Sequence, residues 1–211
     1  RRRIRGGVEG HRSVGAGVRP AVWIIVPRAR PNLNRQQKHA TLQVATMNNT
    51  MLLAGLKSGE LDLGIGRMSD PELMSGLNYE LLFLESLKLV VRPNHPLLQD
   101  TVTLSRVMEW PVVVSPKGTV PRQNAEALLQ MQGCTLPSGC IETLSASLSR
   151  QLTVDYDYVW FVPSGAVKDD LRRGVLTALP VTSPGAGEPV GILTRVDAPL
   201  SEGAQTLLSA I

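Results

Sequence analysis

The sequence is poor in the residues that build disulfide scaffolds, metal centres and membrane spans. It has only two cysteines in 211 residues, Cys134 and Cys140, which excludes a disulfide framework. They lie six apart across a loop containing Gly and Pro. Incidental or buried thiols are the plain reading of the pair, and a redox couple is the alternative. His11, His39 and His95 are scattered and share no ligand spacing with the cysteines, so no metal and no cofactor are expected. No apolar run approaches the roughly 18–20 residues of a membrane span, so no membrane partner is expected either. No serine stands in a Gly-x-Ser-x-Gly elbow, because Pro163-Ser164-Gly165 lacks the flanking glycine pattern. Asp155 with Asp157, and Asp169 with Asp170, fall next to turns or on a helix, where solvated charge is the ordinary role. Nothing assembles a catalytic set, and the expectation is a protein that is not an enzyme.

What is present is enough apolar residue, 43%, to bury a real core in one large domain or two lobes. The net charge of +4 is unevenly spread. Residues 1–38 hold nine arginines, Lys38 and one acid, Glu9, a balance of +9; residues 39–211 hold 12 basic and 17 acidic residues, a balance of −5. The basic total suggests a nucleic-acid surface, yet the body of the chain is acidic. Pro20, Pro27 and Pro31 forbid a long helix in the leader, which shows no sustained period of two or 3.6. The chain begins with Arg1 and is expected to be part of a longer one.

From about residue 40 the pattern becomes regular. Residues 41–46 alternate as a half-buried strand. Leu52, Leu53 and Leu56 form one helical stripe between an Asn N-cap (Asn48 or Asn49) and Gly59, and residues 61–66 read as a buried strand. This is a compact βαβ unit. Further strands are expected at 81–91, 112–114, 159–162, 175–179 and 190–194. Further helices are expected at 122–132, 142–152, 166–173 and 201–211. The alternation indicates an α/β protein with mostly parallel sheets.

Gly64-Ile65-Gly66 is a poor dinucleotide fingerprint: Ser69 stands where a third glycine is required, and no helix opens there. Arg67 is more informative. It follows the C-terminal end of a buried strand, where open α/β sheets bind ligands, and its fork suits a carboxylate; an ion pair with Asp70 is the equal alternative. Asn48 and Asn49, Thr119 and Arg122, and Thr143 stand at three helix starts that follow strands. Together they suggest one cleft for a small acid.

The segments LKSGELDLGIGR (56–67), YELLFLESLKLVVRPNHPL (79–97) and the strand–loop–helix opening VVVSPKG resemble the effector-binding domain of LysR-type transcriptional regulators. The resemblance runs in order over about residues 40–211. GIGRMSDPE, VVVSPKGTVPR, IETLS and VWFVPSGAV look most like the protocatechuate (pca) operon regulator subfamily.

The resemblance implies two Rossmann-like lobes joined by two crossover strands, a periplasmic-binding-protein-like (type 2) fold. Lobe one would be residues 39–86 plus 197–211, and lobe two residues 87–196. Residues 1–38 would be a basic leader, frame-shifted or disordered. The implied effector site is Asn49 and Arg67 on lobe one with Ser115, Thr119, Arg122 and Thr143 on lobe two, two arginines facing a multi-carboxylate or muconate-type acid. The implied function is an inducer sensor that activates an aromatic-acid (protocatechuate-type) catabolic operon from the cytoplasm. Its implied partners are a small carboxylate inducer, promoter DNA through a winged helix-turn-helix that these residues do not contain, further copies of the chain (dimer to tetramer), and RNA polymerase. The alternatives are a periplasmic solute-binding protein of the same fold and a regulator responding to a sugar or sulfonate.

Overall fold

The computed structural model describes residues 11–16, 41–181, 187–200, 204, 205, 208 and 209. It divides into two compact α/β units, one formed by Arg1–Phe83 with Pro189–Ile211, the other by Leu84–Glu188.

Unit one is built on a five-stranded sheet of β1 (His11–Ala16), β2 (Thr41–Thr46), β3 (Leu63–Arg67), β4 (Leu77–Glu85) and β10 (Glu188–Arg195), in the order β2-β1-β3-β10-β4. Strand β1 runs parallel to both β2 and β3, while β10 runs antiparallel to β3. Residues 1–38, expected to be a leader outside the fold, contain a strand at His11–Ala16. HRSVGA carries too little apolar alternation to announce a strand, and its place is set by ladder bonds to both neighbours. The rest of that leader, with the expectation of a shifted frame, lies outside the described residues.

Helix α1 (Asn49–Ser58) begins where the Asn48 side chain accepts from the Met51 N–H at 2.8 Å. It ends at Gly59, whose φ of 82° only glycine adopts without strain. Arg195 Nη1 caps the same end, donating to the carbonyls of Leu56 (2.9 Å) and Leu61 (3.2 Å). The helix buries Leu52, Leu53 and Leu56 against Leu61 and Leu193. Complete burial of a leucine side chain contributes about 1.5–3 kcal/mol. The two glycines of β3 make that contact possible. A Cβ on Gly64 would stand 2.8 Å from Leu56 Cδ1, and one on Gly66 2.5 Å from Leu52 Cδ2. The Gly-Ile-Gly element is therefore a helix-packing surface.

Unit two centres on β5 (Leu87–Val91), β6 (Val112–Val114), β7 (Ile141–Glu142), β8 (Val159–Pro163) and β9 (Thr177–Ala178), in the order β7-β6-β8-β5-β9. Strand β6 is parallel to β7 and β8, and β5 is antiparallel to β8 and β9. Side chains alternate between two cores, as the period of a strand requires. Leu89, Val112, Val114, Val159 and Phe161 join one core; Val90, Val113, Trp160 and Val162 join the other. Short helices α2 (Pro71–Met74), α3 (Leu104–Val107) and α6 (Lys168–Arg172) complete the elements with α4 (Val120–Met131) and α5 (Ala146–Asp155).

Several expected boundaries move. The apolar run 81–91 breaks at Ser86 into β4 of the first sheet and β5 of the second. The return to unit one falls at Pro189 rather than 197, because Val190–Leu193 pair with Arg67–Gly64 of β3. The helix expected at 142–152 starts at Ala146, capped by Ser145, and its buried positions are Ser149 and Thr153. Each of these hydroxyls donates to the carbonyl four residues back at 2.9 Å, which allows its burial. Leu144 and Leu148 of the expected leucine stripe are exposed. The helix expected at 166–173 is a 3₁₀ turn, Ser164–Val167, followed by α6, and the strand expected at 175–179 shrinks to β9. Of the closing helix expected at 201–211, most residues lie outside those described.

The RPNHPL segment that carried part of the family resemblance is a structural anchor. His95 is fully buried; its Nδ1 accepts from the Leu97 N–H (3.1 Å) and its Nε2 faces the Asp157 carbonyl (3.2 Å). A carbonyl only accepts, so Nε2 carries the proton and the ring is neutral. Trp110 meets the ring edge-on at 4.5 Å between centroids, and Arg92 pairs with the Asp157 carboxylate. Burial holds the His95 pKa below its ordinary value.

Candidate functional site

In unit one the candidate residues converge on the C-terminal end of β3. Asn49, the first residue of α1, clamps that end. Its Nδ2 donates to the Arg67 carbonyl (3.0 Å) and to Ser69 Oγ (2.9 Å), and its Oδ1 accepts from the Arg67 N–H (3.1 Å). Both amide protons are thus committed, and Asn49 positions Arg67. Gly66 is required here too, since a Cβ would stand 2.7 Å from Asn49 Oδ1. Asn48 is spent on capping α1. Arg67 itself is only 6% exposed, while Asp70 is exposed at the start of α2.

Tyr79, on β4, was not legible as a site residue. Its hydroxyl is buried with no hydrogen-bond partner among the described residues. Burial raises its pKa, and the Arg67 guanidinium pulls it back, which puts the phenol within the field of that arginine.

In unit two the candidates gather at the C-terminal ends of the parallel strands β6 and β7 and at the start of α4. Arg122 is 4% exposed and its guanidinium is occupied. Nε donates to Glu126 Oε1 (2.6 Å); Nη1 donates to Glu142 Oε1 (2.7 Å) and to the Ser115 carbonyl (3.4 Å). Desolvation works against its charge, but the hydrogen bonds to Glu142 and Glu126 prevail and its pKa is raised. The reciprocal bond from Arg122 lowers the pKa of Glu142, which also accepts from the Lys117 N–H (3.4 Å). Thr119 donates its hydroxyl to the Pro116 carbonyl (2.7 Å) at the N-terminus of α4. Thr143 ties β7 to β6 through its N–H on the Val114 carbonyl (3.0 Å), and its hydroxyl accepts from the Ser145 N–H (2.9 Å). Ser115, Arg122 and Glu142 form one hydrogen-bonded group, with Thr119 on the adjoining turn and Thr143 following Glu142 in the chain. Thr143 does not open a helix as expected, since Ser145 is the cap of α5.

Glu126 and Glu142 are the partners that sequence reasoning missed. The i,i+4 spacing of Arg122 and Glu126 was a readable signal; the contact with Glu142, twenty residues away, had none. Among the described residues, no group of three or more His, Cys, Asp or Glu is placed to hold a metal ion, and no helix is long and apolar enough to cross a membrane.

Comparison with known proteins gives these groups a setting. The LysR substrate binding domain family matches residues 5–211. The chain is 75% identical over 187 residues to the uncharacterized HTH-type transcriptional regulator YdcI of Escherichia coli K12, covering 89% of this chain and 61% of that protein. It is 31% identical over 200 residues to the HTH-type transcriptional regulator PcaQ of Agrobacterium fabrum C58, covering 94% and 64%. It therefore spans less than two thirds of the length of these relatives. The effector-binding domain of QuiR in complex with shikimate matches with a TM-score of 0.72 at 16% identity, covering 95% of this chain and 94% of that one. At that identity the likeness is one of fold. The two-lobed, periplasmic-binding-protein-like α/β architecture expected from the sequence is the one the two units display.

Proposed function

The chain belongs to the LysR substrate-binding-domain family, and from that premise we propose that it is the effector-sensing part of a LysR-type transcriptional regulator, binding a small carboxylate. The observation that carries the carboxylate is Arg67. A buried guanidinium stands at the carboxyl end of a central strand, its backbone held on both sides by one asparagine amide. The planar guanidinium fork matches the geometry of a carboxylate. The effector-contacting set on this reading is Arg67, assisted by Asn49, in unit one and Ser115, Thr119, Arg122 and Thr143 in unit two.

The similarity to PcaQ supports an aromatic acid of the protocatechuate type as the effector and activation of its catabolic operon as the outcome. On the same reading the whole regulator is not an enzyme. It reaches promoter DNA through a helix-turn-helix domain, works in the cytoplasm as a dimer or tetramer and contacts RNA polymerase. Sensing requires that the effector favour one arrangement of the regulator, and a tenfold preference gives about 1.4 kcal/mol of bias. A thermal-shift screen with protocatechuate, shikimate, benzoate and neutral sugars tests the reading. A carboxylate that raises Tm in a concentration-dependent manner is the expected result. Stabilisation by sugars alone refutes it.

A further inference from the structure

Helix α4 carries Thr119 and Arg122 at its start, and a third polar residue on it reaches the point where the chain returns to unit one. Asn124 Nδ2 donates to Glu188 Oε1 at 3.1 Å, and both residues are half-buried. Glu188 is the first residue of β10 and the last of unit two, and unit one resumes at Pro189. The backbone is stiff here. Gly187 has a φ of 90°, and a Cβ on it would stand 3.2 Å from the Glu85 carbonyl oxygen, so only glycine fits this close passage. Glu188 precedes a proline, which restricts it to extended conformations. Pro189 has no N–H to give to the ladder. The Asn124 side chain supplies an anchor at this point. One residue further on, Val190 pairs with Arg67 in the antiparallel ladder of β10 and β3.

We infer that Asn124 and Glu188 form a strap: Asn124 is a positioning residue that holds the head of β10, and through β10 the end of β3 at Arg67, to helix α4. A helix turn moves as a rigid piece, so a displacement at Arg122 is carried to Asn124 and from there to β10 through one hydrogen bond. The strap thus passes the state of the effector-contacting helix in unit two to a strand of unit one. Its purpose rests on the effector-sensing reading above; its existence is measured without any effector.

Hydrogen exchange followed by mass spectrometry, on the chain and on Asn124→Ala, tests it. Alanine is a strong helix former and keeps α4. Amides of Val190–Leu193 and of their partners Gly64–Arg67 are expected to exchange about tenfold faster in the variant, the order set by losing a hydrogen bond to a charged group. Amides of β6 and β8 are expected to keep their parent rates. Glu188→Ala should give the same pattern, the double variant no more than either single one, and Glu188→Gln, which keeps an acceptor oxygen, the parent rates. Unchanged exchange in β10 and β3 overturns the inference. So does acceleration confined to α4 or spread evenly over unit two, the signature of a purely local packing role, or additive effects in the double variant. Each of these results leaves the carboxylate reading as it stands, and failure of every carboxylate in the thermal-shift screen leaves the strap.

Discussion

Replacement of Asn49 by alanine isolates the clamp on Arg67. Three hydrogen bonds disappear: two donated by Nδ2, to the Arg67 carbonyl and Ser69 Oγ, and one accepted by Oδ1 from the Arg67 N–H. At about 1 kcal/mol net each, the loss is roughly 3 kcal/mol, since the half-buried Arg67 peptide groups gain no new partner. Alanine is a better helix former than asparagine by roughly 0.5 kcal/mol, which offsets part of this at the first position of α1. The expected destabilisation is therefore about 2.5 kcal/mol. With a urea m-value of about 2 kcal/mol/M, the midpoint falls by about 1 M at unchanged slope. Asn48→Ala, which removes one capping bond to Met51, is the internal standard at about 1 kcal/mol. An Asn49→Ala midpoint within about 0.2 M of the parent chain, equivalent to under roughly 0.5 kcal/mol, would refute the claim that this amide holds the strand end.

Three further outcomes are expected. Gly66→Ala places a methyl 2.5 Å from Leu52 Cδ2 and 2.7 Å from Asn49 Oδ1. It should cost about 1–3 kcal/mol by urea denaturation, and a neutral result contradicts the close approach of α1 to β3. His95 has a folded-state pKa below its unfolded value of about 6.5, so its contribution to stability is complete above that pH and is lost as pH falls through the depressed value. Tm should decline more steeply below about pH 6.5 in the parent chain than in His95→Gln, and parallel profiles would remove His95 as the cause. Tyr79→Phe deletes a buried hydroxyl with no protein partner among the described residues, so stability should be unchanged or higher by up to about 1 kcal/mol. A loss of 2 kcal/mol or more would show that the hydroxyl has a structural partner.

The parts of the fold legible in the sequence are those set by local chemistry. Helix α1 was readable from its Asn48 cap, leucine stripe and Gly59 stop, and β6 and β8 from short apolar runs. Features set by tertiary context were not readable. Strand β1 exists through its ladders to β2 and β3, and the buried face of α5 is made of Ser149 and Thr153, whose hydroxyls satisfy themselves within the helix. The same division holds at the site. The place of Arg67 at the end of a buried strand was legible from the apolar run that precedes it. The roles of Asn49 and Arg122 were not, since each depends on partners 18 to 20 residues away.

The central claim is that this domain recognises its effector through Arg67. Calorimetric titration of 3,4-dihydroxybenzoate into the chain and into Arg67→Ala, with far-UV circular dichroism verifying the fold of the variant, tests it most directly. A binding loss of about 2 kcal/mol or more is expected in the variant, roughly thirtyfold in Kd. Equal affinity in the two chains would contradict it.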